Sequence, residues 1–142
     1  MRYLLVLLVS VATLTACGFG TQQTTPPLQL GDEAIVNQKM ADEAKKIILS
    51  MDEVIEVVGV SHKDNIYIAP TVTHFNRLRL ETIRKTGFNK IKKRYPDATV
   101  FLTTDKKLVM ELDKLEQDLK AQQISEETLE KRLTKIEDDM KG

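Results

Sequence analysis

The chain has 142 residues, of which 30% are charged and 5% aromatic, and its formal net charge at pH 7 is zero. This length is enough for one modest domain with appendages. The zero net charge gives no general reason to expect nucleic acid as a partner. A single cysteine, Cys17, excludes a disulfide within the chain, so the fold has to be stabilised by packing alone.

The N-terminal segment has the pattern of a secretory signal. Arg2 precedes the apolar run 3–11, which is too short to span a bilayer. The tetrapeptide that follows, Leu14-Thr15-Ala16-Cys17, resembles the lipobox of bacterial lipoproteins. This resemblance implies that residues 1–16 are a signal peptide and that Cys17 receives a diacylglyceryl group and acyl chains such as palmitate. A thiolate suits that step because it alkylates readily near neutral pH. The alternative is an incidental cysteine after an ordinary signal peptide.

The segment after the cysteine predicts a linker. Residues 18–31 are rich in Gly, Thr, Gln and Pro and carry no charge. We therefore expect residues 17–31 to be the lipidated cysteine and a flexible tether, long enough to hold a domain up to about 40 Å from the lipid surface. In the alternative, Leu28 and Leu30 pair as a short strand.

Residues 32–104 predict an αββαβ domain. A helix capped by Asp32 is expected over 32–50, and a second helix is expected over 75–95, both from apolar residues at a period of 3.6. The β-branched run 54–60 and the alternating run 66–72 flank a turn and predict a hairpin. A short apolar strand over 98–103 follows, and Gly87 is placed for close approach of the second helix to the sheet.

The order of these elements predicts an α+β fold with a three-stranded sheet and both helices on one face. A right-handed crossover leaves a place for the first strand between the other two. Pro70 has no N–H for a ladder, so we expect the second strand at an edge of the sheet, with the third strand buried.

Residues 105–142 predict a two-helix hairpin. Leucines recur in alternating steps of four and three in each half, and Ser125 is placed to cap the second helix. Glu116 is expected to pair with Lys120 on the helix surface. The sequence leaves open whether this hairpin is a partner site or an extension of the core.

The chain shows no pattern of a catalytic or metal site. The acidic pairs Asp32-Glu33, Asp42-Glu43 and Asp52-Glu53 recur every ten residues, which on a helix turns successive pairs about 80° apart. His62 and His74 belong to no ligand motif, and we expect both to be exposed. We therefore predict that the protein is not an enzyme, uses no cofactor and binds neither metal nor nucleic acid.

Basic residues are concentrated in the middle of the chain. Residues 75–104 contain eight bases and two acids. The anions outside a plasma membrane include lipid head groups, and each nearby Lys or Arg contributes about 1 kcal/mol toward an anionic bilayer. We expect a contact with an anionic surface, or with the acidic hairpin of a neighbouring copy, through Arg79, Lys85, Lys90, Lys92 and Lys93. The alternative is a helix face that is simply solvated.

Together these features resemble the YhcN/YlaJ family of sporulation lipoproteins. The resemblance covers roughly residues 17–110 and rests on the lipobox, the tether, the apolar strings 54–60 and 65–69, and the basic helix ending in Tyr95-Pro96-Asp97. It implies a lipoprotein of spore-forming Gram-positive bacteria, anchored at the forespore or spore membrane. The implied role lies in sporulation, germination or outgrowth, without catalysis, and only Cys17 can be transferred as a site residue.

Two other functional classes remain open from the sequence. One is an oligomerising module of an extracytoplasmic ring or channel, with subunit contacts through the sheet edge 66–72 and the helical hairpin. The other is a hydrolase accessory or small-ligand binder, for which few aromatic or convergent polar residues are available. The partners we expect are therefore a membrane, further copies of the chain or a protein of the spore envelope.

Overall fold

The computed structural model describes residues 23–31 and 34–142. The α+β fold class is confirmed, with four helices and three strands in the described residues. The helices are α1 (Lys39–Leu49), α2 (Leu80–Arg94), α3 (Lys106–Lys120) and α4 (Glu126–Lys141), with a short 3-10 helix over His74–Arg79. The strands are β1 (Val54–His62), β2 (Asn65–Val72) and β3 (Thr99–Leu102).

The strand order is β1-β2-β3, so β2 lies in the centre and the predicted order, with β1 central, is wrong. β2 is antiparallel to β1 and parallel to β3. Pro70 is tolerated in the central strand because β3 is short and pairs only with residues 65–68 of β2. After Ile68, β2 is paired only with β1. Pro70 therefore has no strand on the β3 side to which an N–H would have to donate. β3 is an edge strand and only partly buried, so the prediction of a buried third strand is also wrong.

Both faces of the sheet are covered by helices. α1 and α2 lie on one face, as predicted, and share a core that includes Ala44, Ile48, Val57, Ile68, Ile83 and Ile91. α3 and α4 cover the opposite face, where their leucines pack on Val58, Val60, Tyr67 and Ala69. The C-terminal hairpin is therefore part of the hydrophobic core, which answers the question that the sequence left open.

The turns and caps predicted from sequence are mostly present. The β1–β2 turn places Lys63 at φ 54°, and the Ser125 side chain accepts a hydrogen bond from the Thr128 N–H at the start of α4. A Cβ on Gly87 would lie 2.8 Å from Cδ1 of Ile48 and 3.1 Å from Cδ1 of Leu102. The close approach of α2 predicted at Gly87 is thus confirmed, against both α1 and β3.

Helix α1 is shorter than predicted. It begins at Lys39, and residues 34–38 are not helical. The Gln38 N–H donates to the Gly31 carbonyl, and the Gln38 side chain is occupied by the backbone of Ser61. These contacts fold the segment back along β1 and delay the helix. The predicted cap at Asp32 lies outside the described residues.

The last part of the predicted tether lies against the domain. Leu30 is buried, and the Leu30 and Gly31 N–H groups donate to the carboxylate of Asp42. The Thr25 N–H donates to the Ile55 carbonyl at 2.9 Å. No strand forms over residues 23–31, so the alternative of a strand at Leu28 and Leu30 is wrong. A tether that is free of the domain can extend only as far as the residues before Thr25.

Candidate interaction surface

Two large apolar side chains project from the 3-10 helix between β2 and α2. Phe75 is 91% exposed and Leu78 is 98% exposed. In a 3-10 helix, side chains three positions apart lie one above the other, so Phe75 and Leu78 share one side of this helix. Buried apolar residues need no explanation, but a nearly bare pair of this size indicates a contact surface.

The position of this helix is fixed by the sequence before it. The Thr73 N–H donates to the Glu53 carbonyl at 3.1 Å, so the chain stays attached to the start of β1. The side chain of Asn76 donates to the Thr73 hydroxyl at 2.7 Å, which holds the first turn. The exposed pair is therefore carried on an ordered element.

An apolar groove of about 400 Å³ opens beside the 3-10 helix. The groove exists because β3 pairs with β2 only as far as Ile68. The last residues of β2, from Ala69 onward, therefore have no strand neighbour on that side. The residues around it include Pro70, Val72, Arg77, Leu80, Val109 and Met110. Met110 is itself exposed, so the groove extends the apolar surface from the 3-10 helix to α3.

Positive charge surrounds this apolar surface. Arg77 and Lys106 line the groove, and within residues 23–31 and 34–142 neither forms an ion pair. Arg79 lies 3.9 Å from Glu53 and keeps 59% of its side chain exposed. We refer to Phe75, Leu78, Met110, Arg77, Arg79 and Lys106 as the apolar-basic end of the domain.

The structure does not bring the five predicted basic residues to one patch. Arg79 belongs to the 3-10 helix, whereas Lys92 is near the C-terminal end of α2, a helix about 22 Å long. Lys92 donates to the carbonyls of Pro96 and Ala98 and so closes the end of its own helix. Lys85, Lys90 and Lys93 are exposed and form no ion pair with another described residue.

A buried cluster of charged groups joins α1, α3 and the outer edge of β1. The ammonium group of Lys45 lies 2.7 Å from Oε1 of Glu116 and 3.2 Å from Oδ1 of Asp42. It also donates to the Leu28 carbonyl, and Glu116 accepts the Gly59 N–H at 2.8 Å. Burial raises the pKa of Glu116, although Lys45 and the Gly59 N–H act in the opposite direction.

This cluster acts as a structural connection. Its charged groups form hydrogen bonds with backbone groups of the N-terminal segment and of β1, and Gln38 forms two hydrogen bonds with the Ser61 backbone beside it. The predicted Glu116–Lys120 surface pair is wrong, because Glu116 is buried. The sequence contains a signal for this: Lys45 and Glu116 each fall within an apolar stripe, between Ala41 and Ile48 and between Leu112 and Leu119.

Of the three acidic pairs, Asp32-Glu33 lies outside the described residues, and the other two pairs and the histidines do not converge on one site. Asp42 holds the N-terminal segment, Glu43 binds Arg94 and Tyr95, and Glu53 faces Arg79. His62 is buried, contrary to prediction, and lies 3.1 Å from Glu126, whereas His74 is exposed as expected. In the described part of the chain, no three His, Cys, Asp or Glu side chains are grouped as metal ligands.

The predicted lipobox residues Leu14, Thr15 and Ala16 and the lipidation site Cys17 lie outside the described residues. Among the helices of the described part, none is long and apolar enough to cross a bilayer. The chain matches no protein-family model, no curated protein and no solved structure. The resemblance to the YhcN/YlaJ family therefore stays a prediction.

Proposed function

We propose that the protein is a non-enzymatic lipoprotein, anchored through a lipid on Cys17 to the extracytoplasmic face of the plasma membrane. Its role is structural or accessory, in sporulation, spore germination or outgrowth, and it works by binding. The observation that supports this most directly is the exposure of Phe75 and Leu78 on an ordered helix. A bare apolar pair next to a groove is a feature of a binding surface.

The buried charged groups are also consistent with a protein that works by binding. Lys45, Asp42 and Glu116 hold secondary structure elements together, so they are already occupied in a structural role.

The anchor is supported by the sequence Leu14-Thr15-Ala16-Cys17 after an apolar run. The assignment to sporulation rests on the family resemblance alone.

An oligomerising ring module is the second candidate, and it has less support. β2, the strand from which the sequence predicts a subunit contact, lies in the centre of the sheet. The outer edge of β1 is occupied, because Ile55 accepts a hydrogen bond from Thr25, and Ser61 and Gly59 donate to the side chains of Gln38 and Glu116. Strand β3 offers only four residues. Little continuous strand edge is left for another chain.

The anchor can be tested by metabolic labelling with a fatty acid in a Gram-positive host that expresses the full chain. We expect label on the wild type and on the control Thr15→Ser, which keeps a small residue in the lipobox. We expect neither label nor membrane fractionation of the processed form for Cys17→Ala. Equal labelling of the Cys17→Ala variant would contradict the proposed anchor.

A further inference from the structure

We propose that the apolar-basic end of the domain docks into the anionic lipid bilayer, with Phe75 and Leu78 entering the head-group region. The inference deepens the proposed function, and in the cell it depends on the anchor at Cys17. It assigns to the protein a second contact with the membrane, made by the folded domain itself.

The exposed pair Phe75 and Leu78 has the chemistry of a membrane contact. Phe75 and Leu78 are almost entirely in water and lie on the same side of the 3-10 helix. Apolar side chains of this kind gain free energy when they enter the boundary between head groups and acyl chains. Because the backbone around them is held by Thr73 and Asn76, little conformational entropy is lost on insertion.

The chain leaves the domain toward its anchor close to the apolar-basic end. Thr25 is hydrogen-bonded to Ile55, next to Val54, and Val54 pairs with Val72 at the end of β2. The 3-10 helix starts two residues after Val72. The point where the chain leaves toward the anchor and the apolar-basic end are thus at the same end of the sheet.

The length of the linker fits this placement. Seven residues lie between Cys17 and Thr25, so the chain from one to the other spans at most about 29 Å even when fully extended. Thr25, at this end of the domain, therefore stays within about 29 Å of the lipid on Cys17. Restricting the domain to a thin layer raises the effective concentration of its surface at the membrane.

The charges at this end of the domain also favour an anionic bilayer. Arg77, Arg79 and Lys106 surround the apolar residues, and an anionic bilayer attracts each such charge when it is close to the surface. Two of the nearby acidic groups are engaged: Glu53 faces Arg79 at 3.9 Å, and Asp105 accepts hydrogen bonds from the first N–H groups of α3. Asp52 and Glu81 are exposed and form no ion pair with another described residue. Basic residues interleaved with apolar ones favour a lipid surface over an apolar protein partner.

The absence of tryptophan from the sequence provides a direct test. Phe75→Trp, the probe variant, introduces a single tryptophan at the proposed contact. Phe88→Trp is the matched control variant, because Phe88 is 39% exposed on α2. The full-length lipidated variants would be reconstituted into vesicles of phosphatidylglycerol and phosphatidylcholine, or of phosphatidylcholine alone. Quenching by acrylamide reports exposure to water, and quenching by brominated phospholipid reports contact with lipid.

Relative to neutral vesicles, we expect the probe variant in anionic vesicles to show blue-shifted emission, stronger quenching by brominated lipid and protection from acrylamide, while the emission and quenching of the partly exposed control variant stay unchanged. Arg77→Glu in the Phe75→Trp background changes the charge by two, so we expect the docked population relative to the undocked one to fall by at least about fivefold. Neutral vesicles should give a weaker effect.

Acrylamide quenching that changes equally for the probe and control variants between neutral and anionic vesicles would overturn the proposal. The proposal would also be overturned if the protection of the probe variant from acrylamide depended on protein density in the vesicle and not on lipid charge. That result would assign the surface to contact with a second copy of the chain. Mass spectrometry of the N-terminal peptide of the same preparation tests the anchor separately. A lipidated probe variant whose tryptophan stays exposed to water would leave the proposed function intact and remove only this inference.

Discussion

Lys45 in α1 and Glu116 in α3, 71 residues apart in the chain, form an ion pair of 2.7 Å in the interior of the protein. The side chain of Lys45 is 0% exposed and that of Glu116 is 2% exposed. Glu116 also accepts the Gly59 N–H on the outer edge of β1. The pair therefore joins the helices of the two opposite faces around one edge of the sheet.

Breaking this pair on one side should be costly. Lys45→Met leaves the buried carboxylates of Glu116 and Asp42 without their counter-charge, so it should lower the free energy of unfolding by about 3–5 kcal/mol. Glu116→Ala should cost less, because Asp42 still faces Lys45 at 3.2 Å. In a cycle built from Lys45→Met and Glu116→Ala, the double variant should lose less than the sum of the two single losses. Denaturant unfolding of the four proteins gives this double-mutant cycle.

The exposed pair Lys63–Glu130, at 2.8 Å, provides the control for that cycle. Replacing Lys63 by Met should change stability far less, because both groups remain accessible to water. Additive losses in the Lys45/Glu116 cycle, or a Lys63→Met loss as large as that of Lys45→Met, would contradict the structural role given to the buried pair.

Gly59 should not tolerate a side chain. A Cβ at this position would lie 2.5 Å from both the Tyr67 carbonyl oxygen and Cδ1 of Ile68 on β2, and the carbonyl cannot move without disturbing the strand pairing. We expect Gly59→Ala to cost about 1–3 kcal/mol through overpacking. Thermal unfolding measures the loss.

Gly87→Ala is the comparison for this substitution. The atoms that a Cβ would meet at Gly87 are the ends of the Ile48 and Leu102 side chains, and alanine favours the helix by up to about 1 kcal/mol over glycine. The loss at Gly87 should therefore be smaller than at Gly59. The reverse order would show that the sheet register around Gly59 differs from the one described.

Glu43 should contribute stability at neutral pH and lose it in acid. The hydrogen bond from Tyr95, followed by that from Arg94, lowers the pKa of Glu43 below its ordinary value of 4.5. A carboxyl whose pKa is lowered by folding stabilises the protein fully above the unfolded pKa and stops doing so as pH falls through the folded pKa. The stability difference between wild type and Glu43→Gln should be largest at about pH 6–7 and should shrink below about pH 4.5.

Melting curves of the wild type and of Glu43→Gln, recorded in the same buffer system, give this stability difference at each pH. The pH range should cover about four units, from neutral pH to below the ordinary carboxyl pKa. Glu81→Gln is a control, since Glu81 is exposed and forms no ion pair with another described residue. A constant difference over the whole range would show that Glu43 does not act through its charge.

The features that sequence predicts well here are local ones. The turn at Lys63 and Asp64 and the cap at Ser125 each depend on a few neighbouring residues, and each is present. The close approach at Gly87 involves the distant residues Ile48 and Leu102, but a glycine inside a helical pattern is itself a sign of such a contact. The apolar period of the helices also predicts which faces pack, because that period follows directly from helix geometry.

The features that sequence misses depend on contacts between distant segments. Pro70 predicts an edge strand, but it lies in the central strand because β3 stops at Leu102, opposite Ile68. Lys45 and Glu116 each fall within an apolar stripe, but neither neighbourhood reveals the other partner, so Glu116 is predicted to pair with Lys120 at the helix surface. The exposure of Phe75 and Leu78 is also missed, because the start of the helix predicted at 75 is a 3-10 helix.

The proposed role as a lipid-anchored protein of the spore membrane can be tested by microscopy of a fluorescent fusion of the full chain through growth and sporulation of the native host. We expect signal at the forespore or spore membrane for the wild type and dispersed signal for Cys17→Ala. Even signal around vegetative cells would contradict the sporulation role while leaving the anchor, and a Cys17→Ala signal identical to that of the wild type would contradict the anchor itself.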